Sequence, residues 1–238
     1  MKTGRRYDMH CHVLPGMDDG CRTVQESVEV LTCSKKQGID GICATPHYYP
    51  KETVEHFLKR RSQSYDILCK EMDGHQEDFP EICLGAEVAF HTGLVYEEKL
   101  DQLCYGQSHY LLLEMPFSSW SPNVLKEVNS IHRVRGLTPV IAHLERYLKI
   151  AGTDALEELL NMHVLIQMNA EFMQGFWNRK KAKRMLENGM IHVMGSDCHN
   201  MTKRPPNLGP ALEYLEAHGM EYVLDNISRI SSRIFNMV

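Results

Sequence analysis

The sequence lacks several features that mark particular classes of protein. No apolar run approaches the roughly 18 residues that a membrane-spanning helix needs, and Met1–Arg6 leads into the first apolar segment without the hydrophobic region of a signal peptide. The eight cysteines are scattered and form no C-x-x-C pair, which argues against a disulfide framework. We therefore expect free thiols in a reducing cytoplasm and no membrane span.

The charge balance is equally restrictive. A net charge of −5 gives no reason to expect nucleic-acid binding, which favours a basic stripe. Hydrophobic content of 43% and charged content of 24% are ordinary for a globular protein. No linker-like stretch divides the 238 residues, so we predict a single domain spanning 1–238.

Short apolar runs alternate with helical patterns along the chain. The predicted strands are Tyr7–Leu14, Ile39–Thr45, Ile82–Ala86, Tyr110–Leu113, Thr138–Ala142, Val164–Met168 and Ile191–Gly195. The predicted helices between them are Thr23–Lys36, Thr53–Met72, Leu94–Leu103, Val124–Val134, Asp154–Met162 and Trp177–Asn188. About seven such repeats favour an α/β fold with a closed or nearly closed (β/α) barrel, whose active site lies at the C-terminal ends of the strands.

Two local patterns lead to further expectations. Thr23 and Glu26 have the spacing of a capping box at the start of the first helix. The tail after Leu208 is predicted to be helical, with one strand-like piece near Tyr222–Leu224.

The chemistry centres on two histidine-containing clusters at opposite ends of the sequence. His10 and His12 are two residues apart in the first strand, so both side chains face the same way and can hold one divalent ion. Asp197 and His199 follow the last predicted strand. A closed barrel would bring the two clusters together.

Other strand ends also carry metal-binding side chains. The full set of candidate ligands is His10, His12, Asp19, His47, Glu87, Glu114, His143, Asp197 and His199. Nine ligands exceed the needs of one ion and fit two or three. Mixed imidazole and carboxylate groups suit manganese, iron or zinc better than calcium. Closely spaced ions of this kind are used to hydrolyse phosphate esters.

Several residues allow more than one interpretation. Asp18 could replace Asp19 as the ligand, because an Asp-Gly pair is also an ordinary turn signal. Arg146 and Arg204 lie close to ligands in sequence and could bind a phosphate through their guanidinium groups, although each could instead form a surface salt bridge. Cys198 and Arg204 have the C-x5-R spacing of cysteine-dependent phosphatases, but the intervening loop has no glycine to wrap a phosphate.

Eight short segments, in this order along the chain, match a known family. They are Asp8–His12, Asp18–Gly20, Thr45–His47, Gly85–Glu87, Leu113–Pro116, Pro139–Tyr147, Ser196–Asn200 and Arg204–Pro206. Together they resemble the PHP (polymerase and histidinol phosphatase) metal-dependent phosphoesterases. The resemblance is greatest to the bacterial protein-tyrosine phosphatases encoded with capsule and exopolysaccharide genes.

The resemblance implies a distorted (β/α)7 barrel, a trinuclear metal centre usually described with manganese, and attack by a metal-bound hydroxide. It implies one ion on His10, His12, Glu87 and Asp197, a second on Glu87, Glu114 and His143, and a third on Asp19, His47 and His199. Arg146 and Arg204 would bind phosphate. The implied substrate is phosphotyrosine on a protein, such as the tail of a bacterial tyrosine kinase. A small-molecule phosphatase, a nuclease and a non-catalytic metal-binding regulator are the alternatives.

Overall fold

Short strands and α-helices alternate along residues 4–236, the part of the chain that the computed structural model describes. The strands are β1 (Tyr7–Cys11), β2 (Gly41–Ala44), β3 (His47–Tyr48), β4 (Glu81–Leu84), β5 (Glu87–Ala89), β6 (Tyr110–Glu114), β7 (Thr138–Ile141), β8 (Leu165–Asn169) and β9 (Val193–Gly195). The helices are α1 (Val24–Lys36), α2 (Val54–Glu71), α3 (Pro122–Arg135), α4 (Thr153–Leu160), α5 (Phe176–Glu187), α6 (Leu208–Ala217) and α7 (Glu221–Phe235).

The strands form two parallel sheets that together make seven staves of a barrel. One sheet has the order β1-β2-β4, and the other has the order β3-β5-β6-β7-β8-β9. β3 continues the line of β2 after a break at Thr45 and Pro46, and β5 continues the line of β4 after Gly85 and Ala86. Pro46 has no N–H to donate, which interrupts regular pairing at that point. Counting each broken pair as one stave gives the seven repeats that the sequence predicts.

The barrel closes between β1 and the segment that follows β9. The N–H of His12 donates to the carbonyl of Cys198 at 2.9 Å, and the N–H of Asp197 donates to the carbonyl of His10 at 2.7 Å. Gly195 permits this approach, because a Cβ atom there would lie only 2.5 Å from the Cβ of His10. The two ends of the predicted ligand set therefore meet across this seam.

Buried apolar side chains fill the interior and fix the helices. A smaller apolar cluster joins the starts of the strands to the last turn of α7, where the rings of Tyr7 and Phe235 lie 4.8 Å apart. Tyr105 enters the same cluster, and its hydroxyl donates to the carbonyl of Met9 at 2.9 Å. These contacts hold the end of the barrel opposite to the predicted metal centre.

Capping residues explain where several helices begin and end. The hydroxyl of Ser121 accepts from the N–H of Val124 at the start of α3, Pro122 occupies its first position, and Gly136 ends it with a φ of 69°. At α1 the hydroxyl of Thr23 accepts from the N–H of Glu26, as predicted. The return half of the capping box differs, because the Glu26 carboxylate accepts from the N–H of Arg22 instead of that of Thr23.

Two predicted elements are wrong. Tyr222–Leu224 lies in α7 and not in a strand, because apolar residues recur at helical spacing and bury one face of that helix. Leu94–Leu103 is not one helix but two short 3₁₀ turns, Leu94–Tyr96 and Leu100–Leu103. All eight cysteines are unpaired, as predicted. No helix within residues 4–236 combines the length and the hydropathy that crossing a membrane requires.

Candidate metal centre

The structure brings all nine predicted ligands to the C-terminal end of the barrel. His10 lies in β1, His47 and Glu87 begin β3 and β5, and Glu114 ends β6. The remaining ligands follow the strands in loops, namely His12 and Asp19 after β1, His143 after β7, and Asp197 with His199 after β9. Because parallel strands all end on the same side of the barrel, their terminal side chains converge.

The first group of donor atoms surrounds a point between β1, β5 and the end of β9. The Nε2 atoms of His10 and His12 lie 3.2 Å apart. Both nitrogen atoms lie 3.1–3.2 Å from Glu87 Oε2 and 3.4–3.5 Å from Asp197 Oδ1. Ligand bonds of about 2.1 Å would place donor atoms roughly 3.0–3.4 Å apart in octahedral or tetrahedral coordination. The spacing therefore fits a single bound cation.

A second group lies against the other oxygen of Glu87. Nε2 of His143 is 2.9 Å from Glu87 Oε1 and 3.6 Å from Glu114 Oε1. His47, Glu87 and Glu114 also offer donor atoms within 4.8 Å of one another. Glu87 thus faces both groups and is the carboxylate best placed to bridge two ions.

A third group lies nearest to solvent. Asp19 Oδ1 is 3.6 Å from His47 Nε2 and 3.4 Å from His199 Nε2, and His12 completes a set of four donors. The Asp19 side chain is 69% exposed, so this edge of the centre is open.

Asp18 has a different position from Asp19. Its Oδ2 lies 2.7 Å from Nδ1 of His12 and accepts from the N–H of His47 at 2.8 Å. Burial opposes the charged form, yet His12 and the N–H groups of His47 and Gly20 hold the pKa of Asp18 well below its usual range. Asp18 orients the ring of His12, and Asp19 is the residue that faces the donor groups.

The electrostatics of the buried groups suit a cation. Burial alone would raise the pKa values of Glu87 and Asp197, but His10 and the other imidazoles hold both well below their usual range. Burial lowers the pKa of His143, whereas hydrogen bonds to Glu114 and Glu87 outweigh it and raise that pKa to about 9. A cation bound between these groups would offset the charge of the buried carboxylates.

An unpaired nitrogen atom points to the same conclusion. Nδ1 of His47 is buried and makes no hydrogen bond within the described residues. Nδ1 of His47 lies 3.1 Å from Glu87 Oε2 without the orientation of a hydrogen bond. Buried nitrogen atoms normally have partners. Imidazole and carboxylate donors without sulfur fit manganese, iron or zinc, so the residues present fit the predicted ions.

Backbone strain is concentrated at two of the candidate ligands. His143 has a φ of 31° and Asp197 has a φ of 52°, and among the described residues these are the two non-glycine positions with positive φ. Such a left-handed conformation costs about 1–2 kcal/mol for a residue with a side chain. The strain occurs where the chain leaves β7 and β9 and turns a ligand toward the centre.

The two arginines lie inside the centre and not in surface salt bridges. A guanidinium nitrogen of Arg146 lies 2.5 Å from Asp197 Oδ2, and Arg204 pairs with the same oxygen. Nη1 of Arg204 also donates to Nε2 of His199 at 2.8 Å. Both side chains remain 32% exposed, so a small molecule that enters the site can contact them.

Residues that the sequence analysis missed hold the candidate ligands in place. Oε1 of Gln167 accepts from the N–H of His143 at 2.6 Å and lies 3.2 Å from Nδ1 of His10. Nδ2 of Asn169 donates to Asp197 Oδ2 at 2.8 Å. Asp8 accepts from the N–H groups of Ser196 and His10. A signal existed for Asn169, because it ends β8 as the ligands end other strands, whereas Gln167 and Asp8 lie inside strands.

Cys198 does not take part in the centre. Its side chain is buried in the apolar core, and its Sγ contacts the carbonyl of Asn200. The thiol is 1% exposed, so a substrate phosphate has no path to it. The geometry disfavours the cysteine-dependent mechanism.

Comparison with known proteins places these features in context. A family model described as capsular polysaccharide synthesis, CpsB/CapC, matches residues 6–234. Tyrosine-protein phosphatase YwqE of Bacillus subtilis (strain 168) is 30% identical over 220 residues, covering 88% of this chain and 83% of that protein. Tyrosine-protein phosphatase CpsB of Streptococcus agalactiae serotype III (strain NEM316) is 27% identical over 220 residues, covering 87% and 88%.

A solved structure agrees over nearly the whole chain. It belongs to the crystal structures of YwqE from Bacillus subtilis and CpsB from Streptococcus pneumoniae, which are described as unique metal-dependent tyrosine phosphatases. The match has a TM-score of 0.82 and 25% sequence identity, and it covers 97% of this chain and 94% of the other.

The position of Asp18 leads to a testable expectation. Asp18→Asn should lower the affinity for manganese about 10- to 100-fold, because the ring of His12 loses the carboxylate that orients it. Titration of metal-free protein with manganese, followed by calorimetry, measures this change. Asp78→Asn is the control, since Asp78 is exposed and lies in a turn after α2. Equal affinities for the Asp18 variant and the control would show that the carboxylate does not act through His12.

Proposed function

The chain belongs to the CpsB/CapC family of capsular polysaccharide synthesis, and on that basis we propose that it is a metal-dependent protein-tyrosine phosphatase. The observation that carries the proposal is the convergence of nine imidazole and carboxylate groups, with two arginines beside them, at one end of the barrel. Relatives named as tyrosine-protein phosphatases support the same activity.

We assign the ions to the groups of donors described above. His10, His12, Glu87 and Asp197 would hold one ion, Glu87, Glu114 and His143 a second, and Asp19, His47 and His199 a third. Manganese is the metal we favour, with iron or zinc as alternatives, and the number of ions is two or three. Bound ions would supply Lewis acidity, by binding phosphoryl oxygen atoms and by lowering the pKa of a water molecule.

Asp197 links the donor groups to the two arginines. Its Oδ1 faces His10 and His12, whereas its Oδ2 faces Arg146 and Arg204. This arrangement keeps both guanidinium groups next to the place where a phosphoryl group would bind. Each guanidinium stays charged and presents parallel N–H donors that match phosphate oxygen atoms.

Arg204 has a second contact besides its pair with Asp197. Its Nη1 donates to Nε2 of His199, the nitrogen that we assign to an ion. Burial, His12 and Arg204 together lower the pKa of His199 to about 4, which favours the neutral imidazole that a metal ion binds. A ligand role for Nε2 of His199 would require Nη1 of Arg204 to leave that nitrogen atom, and this donor would then be available to a phosphoryl oxygen atom.

The substrate we propose is phosphotyrosine on a protein, such as a tyrosine kinase that controls capsule or exopolysaccharide synthesis. The family description and the names of the relatives support this choice. The eight unpaired cysteines are compatible with work in the cytoplasm.

Metal removal tests the activity directly. A chelator should abolish hydrolysis of a phosphotyrosine peptide, and manganese should restore it better than magnesium, because imidazole nitrogen disfavours the harder ion. The rates of hydrolysis of the phosphotyrosine peptide and of histidinol phosphate are then compared. A higher rate on the peptide indicates a protein phosphatase, and a higher rate on histidinol phosphate indicates a small-molecule phosphatase. Full activity in protein shown by elemental analysis to contain no transition metal would contradict the proposal.

Cys198→Ser should keep most of the activity, because the side chain of Cys198 is buried in the apolar core.

The arginines can be separated from the ligands by the same assays. Arg146→Ala and Arg204→Ala should each lower kcat/KM about 30- to 1000-fold, since a charge-assisted contact to the developing phosphoryl charge is worth roughly 2–4 kcal/mol. Lys at either position should restore only part of the loss, because it lacks the planar fork. His143→Ala should in addition deplete metal.

Arg229→Ala is the matched control for these variants, since Arg229 is exposed on α7 at a distance from the centre. Kinetics and metal stoichiometry are measured together for all variants. Loss of metal in the arginine variants, or full activity in both, would show that Arg146 and Arg204 have a structural role only.

A further inference from the structure

Two exposed aromatic side chains stack on predicted ligands. The ring of Phe117 lies 6.0 Å from the ring of His143 at an interplanar angle of 25°. The ring of Tyr49 lies 5.2 Å from the ring of His47 at 27°. Phe117 is 58% exposed and Tyr49 is 44% exposed. The other large apolar side chains that are exposed on the described part of the chain make no such stack.

Phe117 is held firmly although it is exposed. It follows β6 in the turn that begins at Pro116, whose carbonyl accepts from Nε1 of Trp120 at 3.0 Å. Its ring lies 5.1 Å from the ring of Tyr147, which in turn lies 5.2 Å from that of Trp120. Buried neighbours therefore fix Phe117 and leave much of its surface facing solvent beside the centre.

Tyr49 occupies a corresponding place on another stave. It directly follows β3, two residues after His47, and its ring is nearly parallel to that imidazole. His47 belongs to the donor groups that include Glu87 and Asp19, whereas His143 belongs to the group that includes Glu87 and Glu114. The two exposed rings thus border the centre at neighbouring imidazoles, because Glu114 lies 3.6 Å from Nε2 of His143 and within 4.8 Å of a nitrogen atom of His47.

This arrangement matters for the part of a substrate that lies beyond its phosphoryl group. In an aryl phosphate a flat ring is joined to phosphorus through one oxygen atom, so the ring must lie next to the site that binds the phosphoryl group. Aromatic rings interact favourably when their centroids are about 4.5–7 Å apart. A shorter alkyl group, such as the side chain of phosphoserine, has no flat face that could stack on Phe117 or Tyr49.

We propose that Phe117 and Tyr49 form the binding subsite for the aromatic ring of the substrate and thereby select aryl over alkyl phosphate esters. This inference rests on the proposed phosphatase function and adds the residues that determine its specificity.

A pair of non-hydrolysable ligands tests the subsite through binding. Benzylphosphonate has a methylene in place of the bridging oxygen of a phenyl ester, and cyclohexylmethylphosphonate has the same size without a flat ring. Calorimetry on the manganese-loaded protein should show tighter binding of benzylphosphonate. Phe117→Leu and Tyr49→Leu should each weaken that binding about 3- to 10-fold, the effect expected for one aromatic pair. Binding of cyclohexylmethylphosphonate should change less than about twofold.

Conservative variants and metal analysis keep the test specific. Phe117→Tyr and Tyr49→Phe retain a flat ring and should retain the preference for benzylphosphonate. Metal content is measured for every variant, because Phe117 and Tyr49 contact ligand rings. Equal weakening for both phosphonates, an unchanged preference in both Leu variants, loss of metal, or no preference in the unmodified protein would each overturn the subsite.

The proposed function fails separately from the subsite. If the manganese-loaded, unmodified protein does not hydrolyse a phosphotyrosine peptide, the phosphatase activity is wrong whatever the phosphonates show. If it hydrolyses the peptide and the Leu variants bind both phosphonates as it does, the activity stands and the assigned ring subsite is wrong.

Discussion

The metal centre depends on the backbone hydrogen bonds that close the barrel between β1 and the segment after β9. These bonds join segments that are far apart in the sequence, since Cys11 and Cys198, which lie at the seam, are 187 positions apart. Closing so long a loop carries an entropic cost, which the packing of the other staves must offset. His10 and His12 lie on one side of the seam, and Asp197 and His199 lie on the other. In an open barrel Asp197 would therefore not meet His10 and His12, and the first group of donor atoms would not form.

Closure of the barrel also buries charged groups, and the surrounding residues offset the unfavourable free energy of burying them. Glu87 and Asp197 are buried carboxylates, and isolated buried charges are strongly unfavourable. Imidazoles surround one side of Asp197, while Arg146 and Arg204 pair with the other. The same groups that balance these charges in the folded chain are those that we expect to bind ions and phosphate. Stability of the centre and its proposed chemistry therefore have a common origin.

The sequence predicted the barrel and the meeting of the ligands because both follow from local patterns. Alternation of short strands with helices predicts a parallel barrel, and its strand ends lie together wherever they occur in the chain. The choice between Asp18 and Asp19 could not be made in this way, because it depends on how one loop folds against His12 and His47. The role of Gln167 was likewise hidden, since a polar residue inside a strand has no distinctive spacing. The wrong strand near Tyr222 arose because a short apolar run fits either period.

The left-handed conformations of His143 and Asp197 have an evolutionary consequence. Glycine adopts this backbone conformation without the strain of about 1–2 kcal/mol that a residue with a side chain incurs. The contacts of His143 with Glu87, and of Asp197 with Arg146 and Arg204, must offset that strain. In a lineage that lost those partner residues, glycine would become the more stable residue at both positions.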